Sequence, residues 1–251
     1  MRTKPFVALP SYNSGPLLAS TVSEVRKYSQ DNWVVIDGST DSSEEQLRQS
    51  LSGCCSTRVI SLKENQGKGG AVLEAFRAAQ SEGFTHGLVM DADGQHPAEK
   101  IGEFFQLARE NPEAMILGEP VFGDDAPRER VHGRRVGNLV AGVETLGGGI
   151  GDSLFGFRLY PVIPFLEVMN ATRSARRFDF DTEVAVRLFW RGVRPINRPV
   201  PVRYPHQQQG GITHFHYLRD NLLLVRTHAR LLIQMVPQLL KIWQYRARWK
   251  R

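Results

Sequence analysis

Short apolar runs alternate with longer amphipathic stretches through the first half of the chain. Phe6–Leu9, Trp33–Ile36, Val59–Leu62, Leu88–Met90 and Met115–Leu117 are runs of mostly aliphatic, β-branched or aromatic residues, the pattern of strands buried on both faces. Between them lie helical stretches. One runs from about Pro16 to Tyr28, and a second starts near Glu44 behind the capping residues Thr40-Asp41-Ser42-Ser43. A third covers Gly69–Ser81, with Val72, Leu73, Ala75, Phe76 and Ala79 on its apolar side, and a fourth covers Pro97–Arg109 with proline in its first turn. Strands separated by helices of this length predict an α/β fold with a mostly parallel central sheet and right-handed crossovers.

After Gly118 the alternation breaks. Residues 119–135 hold few apolar positions but carry Arg128, Arg130, Arg134 and Arg135, and residues 147–151 are glycine-rich; this part is expected to be an active-site loop. Phe180–Trp190 reads as a helix. Val193–Val202 is extended but bears Pro195, Pro199 and Pro201, so it is an edge strand or none. From Tyr217 the pattern is helical to the end, with a kink expected at Pro237. The division that follows is a catalytic domain over 1–216 and a helical, basic extension over 217–251.

In such a sheet, ligands bind at the carboxyl ends of the strands. There the chain places Pro10-Ser11-Tyr12-Asn13, Asp37-Gly38-Ser39 and Asp91-Ala92-Asp93. Side chains at i and i+2 of a strand share a face, so Asp91 and Asp93 can converge just beyond the sheet edge. Two carboxylates that close repel, and a hard divalent ion such as Mg²⁺ or Mn²⁺ suits the gap, leaving its other positions to water and substrate phosphates. The plainer alternative is a solvated Asp-x-Asp turn that caps the next helix.

Bulk properties narrow the field. The chain has 251 residues, a formal charge of +6, 41% hydrophobic and 23% charged residues, an ordinary globular composition. Residues 241–251 carry Lys241, Arg246, Arg248, Lys250 and Arg251 with no acid, so the remainder is nearly neutral and no nucleic-acid-binding face is implied. With Trp243, Tyr245 and Trp249 interleaved, that tail suits an anionic membrane surface; a solvated helix end is the alternative. Cys54 and Cys55 are adjacent and without another partner, which excludes a disulfide framework and fits a reducing cytoplasm. The start of the chain reads as a first strand rather than a signal segment, and Leu231–Leu240 is too short to span a bilayer. A cytoplasmic protein, peripheral on the inner face of the cell membrane, is expected. The oligomeric state is open.

Together these loops resemble family 2 glycosyltransferases with the GT-A (nucleotide-diphospho-sugar transferase) fold, above all the dolichyl-phosphate mannosyltransferase and polyprenol-phosphate glycosyltransferase group. The resemblance covers about residues 5–205. It rests on Pro10-Ser11-Tyr12-Asn13, Ile36-Asp37-Gly38-Ser39-Thr40-Asp41, Asn65-Gln66-Gly67-Lys68-Gly69-Gly70, Met90 to Pro97, and Asp152-Ser153-Leu154-Phe155-Gly156-Phe157-Arg158. The part after Val202, with His206, His214 and His216, is more similar to bacterial family 2 enzymes of aryl-polyene-type pathways; its histidine spacing has no ligand signature.

The resemblance implies a metal-dependent, inverting transfer from a UDP- or GDP-linked sugar to a lipid-linked acceptor, a polyprenyl phosphate or an aryl-polyene-type lipid. Asp37 would accept from the nucleobase, and Pro10 and Tyr12 would pack by base or ribose. Asp91, Ala92 and Asp93 would meet the ribose and the metal, with Gln95 as a further oxygen ligand. Gly67-Lys68-Gly69-Gly70 would offer N–H groups and an ammonium to a phosphate, or be a plain strand-to-helix turn. Arg128 and Arg134 would clamp a phosphate. Arg158 would serve the catalytic centre, or pair with Asp152. A lipid phosphate needs no base, being largely ionised above its second pKa of about 6; a hydroxyl acceptor does, and Asp152 is then the first choice, followed by Asp181 and Glu183. The alternative reading of the last two is dipole-favoured charges at a helix start. Two positions depart from the family: Ile36 stands where many relatives have an acid, and Ser14 where an acid is usual, which leaves the base unidentified. Two other readings compete, a non-catalytic membrane-docked partner and a sugar-1-phosphate nucleotidyltransferase. The loop after the first strand lacks the glycine-rich, basic character the latter needs.

Overall fold

The computed structural model describes residues 3–51, 56–123, 128–202 and 217–249, without the side chains of residues 128–133, 217 and 218. Cys54 and Cys55, His206, His214 and His216, the proposed boundary at 216 and the last two basic residues lie outside the described residues.

Strands β1 (Pro5–Ser11), β2 (Asn32–Asp37), β3 (Thr57–Leu62) and β4 (His86–Val89) are parallel, with β1 between β2 and β4. Helices α1 (Pro16–Arg26), α2 (Ser43–Ser50) and α3 (Lys68–Ser81) connect them. A short 3₁₀ turn, Ala98–Lys100, leads into α4 (Ile101–Glu110), so the expected fourth helix begins a turn later than its proline. The seven-stranded sheet has the order β3-β2-β1-β4-β6-β5-β7, completed by β5 (Ala114–Val121), β6 (Arg158–Pro161) and β7 (Arg194–Pro201). Only β6 runs against the others, wedged between β4 and β5. The three prolines of the extended segment are tolerated because β7 is an edge strand, paired on one side with β5.

Side chains alternate across the sheet and feed two apolar layers. Phe6, Ala8, Trp33 and Val35 pack with Phe76 of α3, with Phe165 of α6 (Val162–Ala171) and with Phe189 of α7 (Phe180–Trp190). Val7, Leu9, Val34 and Ile36 face the other way onto Leu18 of α1 and Phe104 of α4. Ile36 is therefore a core residue, which accounts for its apolar character at that family position.

One expectation fails in the second half, and one strand went unread. The arginine-bearing stretch is not a loop throughout: β5 extends to Val121, and α5 spans Arg128–Glu144. Pattern reading misses this helix because its polarity is inverted. Val136, Leu139 and Val143 face solvent, while Arg134, Asn138 and Glu144 make their bonds inward. Strand β6 was not anticipated either, since it opens with a fully buried arginine. The C-terminal extension is helical as expected: α8 (Tyr217–Met235) and α9 (Leu239–Trp249), broken at Pro237 by the 3₁₀ turn Val236–Gln238. Among the described residues, no helix is long and apolar enough to cross a membrane.

Candidate active site

Because β1, β2 and β4 are parallel neighbours, their carboxyl ends deliver three loops to one edge. The loops after β1 and β2 are tied together: the Asn13 N–H donates to Ser39 Oγ at 3.0 Å, and the Thr40 N–H to Asn13 Oδ1 at 2.8 Å. Pro10 is the penultimate residue of β1, which ends at Ser11, and the half-buried Tyr12 follows the strand. Ser14, which replaces the usual acid, accepts from Ser11 Oγ at 2.9 Å.

Asp37 ends β2, buried, with both oxygens occupied by backbone: the Gln66 N–H donates to Oδ1 at 2.7 Å and the Gly67 N–H to Oδ2 at 2.8 Å. Burial pushes its carboxyl up, and these two N–H groups partly offset that. The contact shows how Asp37 shapes the loop before α3; contact with a base would use its remaining lone pairs. The expected phosphate cradle at Gly67–Gly70 is largely spent. The Gly69 N–H donates to the Arg176 carbonyl at 2.9 Å, and Gly67 sits at φ +83°, where an added Cβ would lie 2.3 Å from that same oxygen. The segment before α7 thus takes the Gly69 N–H, as Asp37 takes that of Gly67.

Lys68 is left as the charge carrier. Its ammonium bridges Asp91 Oδ1 at 2.8 Å and Asp181 Oδ2 at 2.7 Å. Burial opposes the charge, but the two carboxylates outweigh it and raise the lysine above its ordinary value. Asp91, despite burial, is held below the ordinary range by Lys68 and then by His96. Asp93 goes the other way: burial and the charge of Asp91 push it up, and its described bond is one N–H from Gln95 to Oδ1 at 3.0 Å. One carboxylate is neutralised in advance and its neighbour is short of positive charge. Ala92, between them, points into the core.

His96 was quoted in the motif but given no role. It is buried between Phe155 and Phe157, and the Asp91 N–H donates to its Nδ1 at 3.1 Å. That bond leaves the ring proton on Nε2, 3.9 Å from Asp91 Oδ2. Burial pushes the ring pKa down, and the carboxylates of Asp91 and Asp93 oppose that. Gly156 was also missed; a Cβ there would come within 2.4 Å of Asp91 Oδ2 and 2.5 Å of Lys68 Nζ. The glycine keeps that side of the ion pair open.

The residues expected at the catalytic centre divide. Asp152 is buried and fully engaged. Arg134 Nη1 donates to its Oδ1 at 2.8 Å, as do the N–H groups of Leu154 and Phe155 at 2.9 and 2.7 Å, and Asn138 Nδ2 donates to Oδ2 at 3.2 Å. Burial would raise it, but Arg134 and these donors bring it below the ordinary carboxylate value. Arg134 is thus committed to Asp152 rather than free to clamp a phosphate, and the Arg128 side chain lies outside the described residues. Arg158 is a correction: it is wholly buried, donating to the carbonyls of Asp152, at 2.8 Å, and of Asp181. It braces the floor of the site, and it meets Asp152 through the main chain rather than the carboxylate. Asp179 accepts from the N–H groups of Ala175 and Arg177, both at 3.0 Å. Glu183 is fully buried between Arg187, Ser174 and Arg230. Asp181, by contrast, reaches Lys68 and belongs to the site.

Among the described residues, no group of three or more His, Cys, Asp or Glu side chains is arranged to hold a metal ion. Asp91 and Asp93 nevertheless fit one whose other ligands are water, an amide oxygen and a diphosphate: both offer hard oxygens, and Asp93 lacks compensation.

The sequence profile of Glycosyl transferase family 2 matches residues 6–172. The chain belongs to that family. It is a glycosyltransferase. Its sequence is 24% identical, over 197 residues, to the UDP-N-acetylglucosamine–dolichyl-phosphate N-acetylglucosaminyltransferase of Methanococcus voltae, covering 72% of this chain and 78% of that one. The curated relatives extend beyond the matched region, which spans from 46% to 78% of the first two. In fold it is similar to glucosyl-3-phosphoglycerate synthase of Mycobacterium tuberculosis, crystallised with Mn²⁺, UDP-glucose and phosphoglyceric acid: TM-score 0.66, 15% identity, 93% of this chain and 79% of that one. It is also similar to the mannosyltransferase PcManGT of Pyrobaculum calidifontis, in complex with GDP-Man and Mn²⁺: TM-score 0.59, 15% identity, 98% and 74%. The GT-A fold of this family 2 enzyme is thereby established.

Proposed function

We propose that this glycosyltransferase moves a sugar from a UDP- or GDP-linked donor to a lipid phosphate of the polyprenyl class, inverting the anomeric centre in one displacement. The observation that carries the acceptor assignment is the state of the three carboxylates that could act as a base. Asp152 accepts from Arg134, Asn138 and two N–H groups, Asp181 is tied through Oδ2 to Lys68, and Glu183 is sealed between arginines. An acceptor that arrives already ionised needs none of them. The relative that acts on dolichyl phosphate supports the same class.

Asp91 and Asp93, with the amide oxygen of Gln95, are the residues that would hold Mg²⁺ or Mn²⁺. Such an ion, when bound, supplies Lewis-acid neutralisation of the departing diphosphate. Lys68 holds a second positive charge at the same edge, fixed in advance by Asp91 and Asp181, which is where electrostatic stabilisation is most effective. His96 holds the Asp91 main chain through its Nδ1, with Nε2 3.9 Å from the carboxylate. Pro10, Tyr12 and Asp37 border the donor's base and ribose. A lipid acceptor lies in a bilayer. The solvent-facing Leu222, Val225, Ile233, Leu240 and Trp243 of the last two helices, flanked by Arg226, Lys241 and Arg248, suit docking on an anionic membrane face, the cytoplasmic one in this reading.

The test is transfer of labelled sugar from UDP- and GDP-donors to undecaprenyl phosphate or to undecaprenol in anionic vesicles with Mn²⁺. Transfer to the phosphate alone, lost with EDTA, is expected. Transfer to the alcohol, or full activity in EDTA, would overturn the reading.

A further inference from the structure

Helix α8 lies beyond the family match, yet its inner face holds two helices that build the site. Leu231 is buried in the core, and His228 Nδ1 is 2.8 Å from Glu144 Oε1 at the end of α5. One helical turn covers the second anchor: Arg230 Nη2 donates to Glu183 Oε2 at 2.6 Å. Glu183 has no exposure, and its other oxygen takes Arg187 Nε and Ser174 Oγ, both at 2.7 Å. It sits in the first turn of α7, two residues after Asp181. Asp181 holds Lys68, and Lys68 holds Asp91. A continuous path of ion pairs and one helical turn thus runs from Arg230 to the carboxylate at the end of β4.

We propose that Arg230 is a positioning residue for glycosyl transfer, setting the first turn of α7 so that Asp181 holds the Lys68 ammonium against Asp91. This rests on the transfer reading above. The geometry separates such a role from general support. Without Arg230, the Glu183 Oε1 side keeps Arg187 and Ser174, and α8 keeps Leu231 and His228. What is lost is the pull on Oε2; the other described tie from α8 to this turn, Gln234 Oε1 accepting from Arg187 Nη2 at 2.7 Å, bears on the Oε1 side and stays in place.

A double-mutant cycle tests the path, because residues acting in series give non-additive losses. In steady-state release of nucleoside diphosphate, Arg230→Met is expected to lower kcat about tenfold with donor KM within about twofold, and Arg230→Lys to restore most of it. If Asp181→Asn alone costs about a hundredfold, the combined variant should cost no more. A combined loss near the product of the two, or a lower melting temperature for Arg230→Met with unchanged kcat, would overturn the proposal. If the unmodified enzyme consumes no donor, the acceptor and donor assignment fails first. The four proteins of the cycle (unmodified, Arg230→Met, Asp181→Asn and the combination) are then compared in Mn²⁺-dependent UDP and GDP affinity by calorimetry, where additive losses overturn the path and non-additive ones support it.

Discussion

The two halves of the site handle charge in opposite ways. At the ends of β2 and β4, the carboxylates of Asp37, Asp91 and Asp93 stand at one edge of a sheet that is apolar on both faces. Around β6, α5, α7 and α8, the charge is inside: Arg158, Glu183 and Glu144 have no exposure, and each is answered by another polar group. In the proposed reading the first arrangement binds the donor, and the second is the support that fixes where the binding groups stand. Lys68 joins them, with one carboxylate from each half.

The contrast breaks most sharply at Asp93. If the first half exists to bind, then removing its uncompensated carboxylate should destroy turnover without harming the fold. Asp93→Asn is expected to lower kcat about a thousandfold, equivalent to about 4 kcal/mol of transition-state stabilisation. Its melting temperature should hold or rise. Folding raises the carboxyl pKa of Asp93, so the ionised side chain opposes folding at neutral pH, and the amide removes that opposition. A marked fall in melting temperature would mean that Asp93 is structural.

The second half should behave in reverse, and Asp152 is the place to look. Asp152→Ala strands Arg134, Asn138 and two N–H groups, which is expected to cost about 3 kcal/mol of stability at pH 7. The pH dependence has a definite sign. The folded pKa of Asp152 is below its unfolded one, so its stabilisation is complete above the unfolded value of about 3.9 and is lost as pH falls through the folded value. Urea midpoints of the enzyme and the variant should therefore converge in acid. A gap that stays constant from pH 7 to pH 2 would show that the carboxylate's charge is irrelevant.

The same division explains what was legible in the amino-acid sequence. Strands such as Phe6–Leu9 and Trp33–Ile36 are buried on both faces by hydrocarbon, so continuous apolar runs mark them. The loops behind them carry the motif residues at the sheet edge, where parallel topology had to bring them. The α7 helix was found residue for residue, because Val184, Val186, Leu188 and Phe189 are core. Helix α5 was lost because its apolar residues face outward and its inward contacts are ionic. Strand β6 was lost because a buried arginine, bonded to two carbonyls, begins it. Hydrophobic periodicity registers burial only when what is buried is apolar. The union of Lys68 with Asp181, 113 residues apart, has no local signature at all. Gly156 had one, a glycine inside a matched block, but only the close approach of Asp91 and Lys68 shows what the missing Cβ protects.

The smallest effect belongs to the outward face of α8 and α9, and it separates binding from support once more. Leu222, Ile233 and Trp243 are 60%, 74% and 68% exposed, so replacing them with serine removes little packing, and stability should change by no more than about 0.5 kcal/mol. Nothing in the path from Arg230 to Asp91 passes through them, so donor affinity should also be unchanged. Affinity for vesicles rich in anionic lipid, measured by sedimentation, should fall about tenfold, or about 1.4 kcal/mol. Equal sedimentation of the triple variant would remove the membrane from the account of this face. A shift from dimer to monomer in the same variant would assign the apolar stripe to a second copy of the chain.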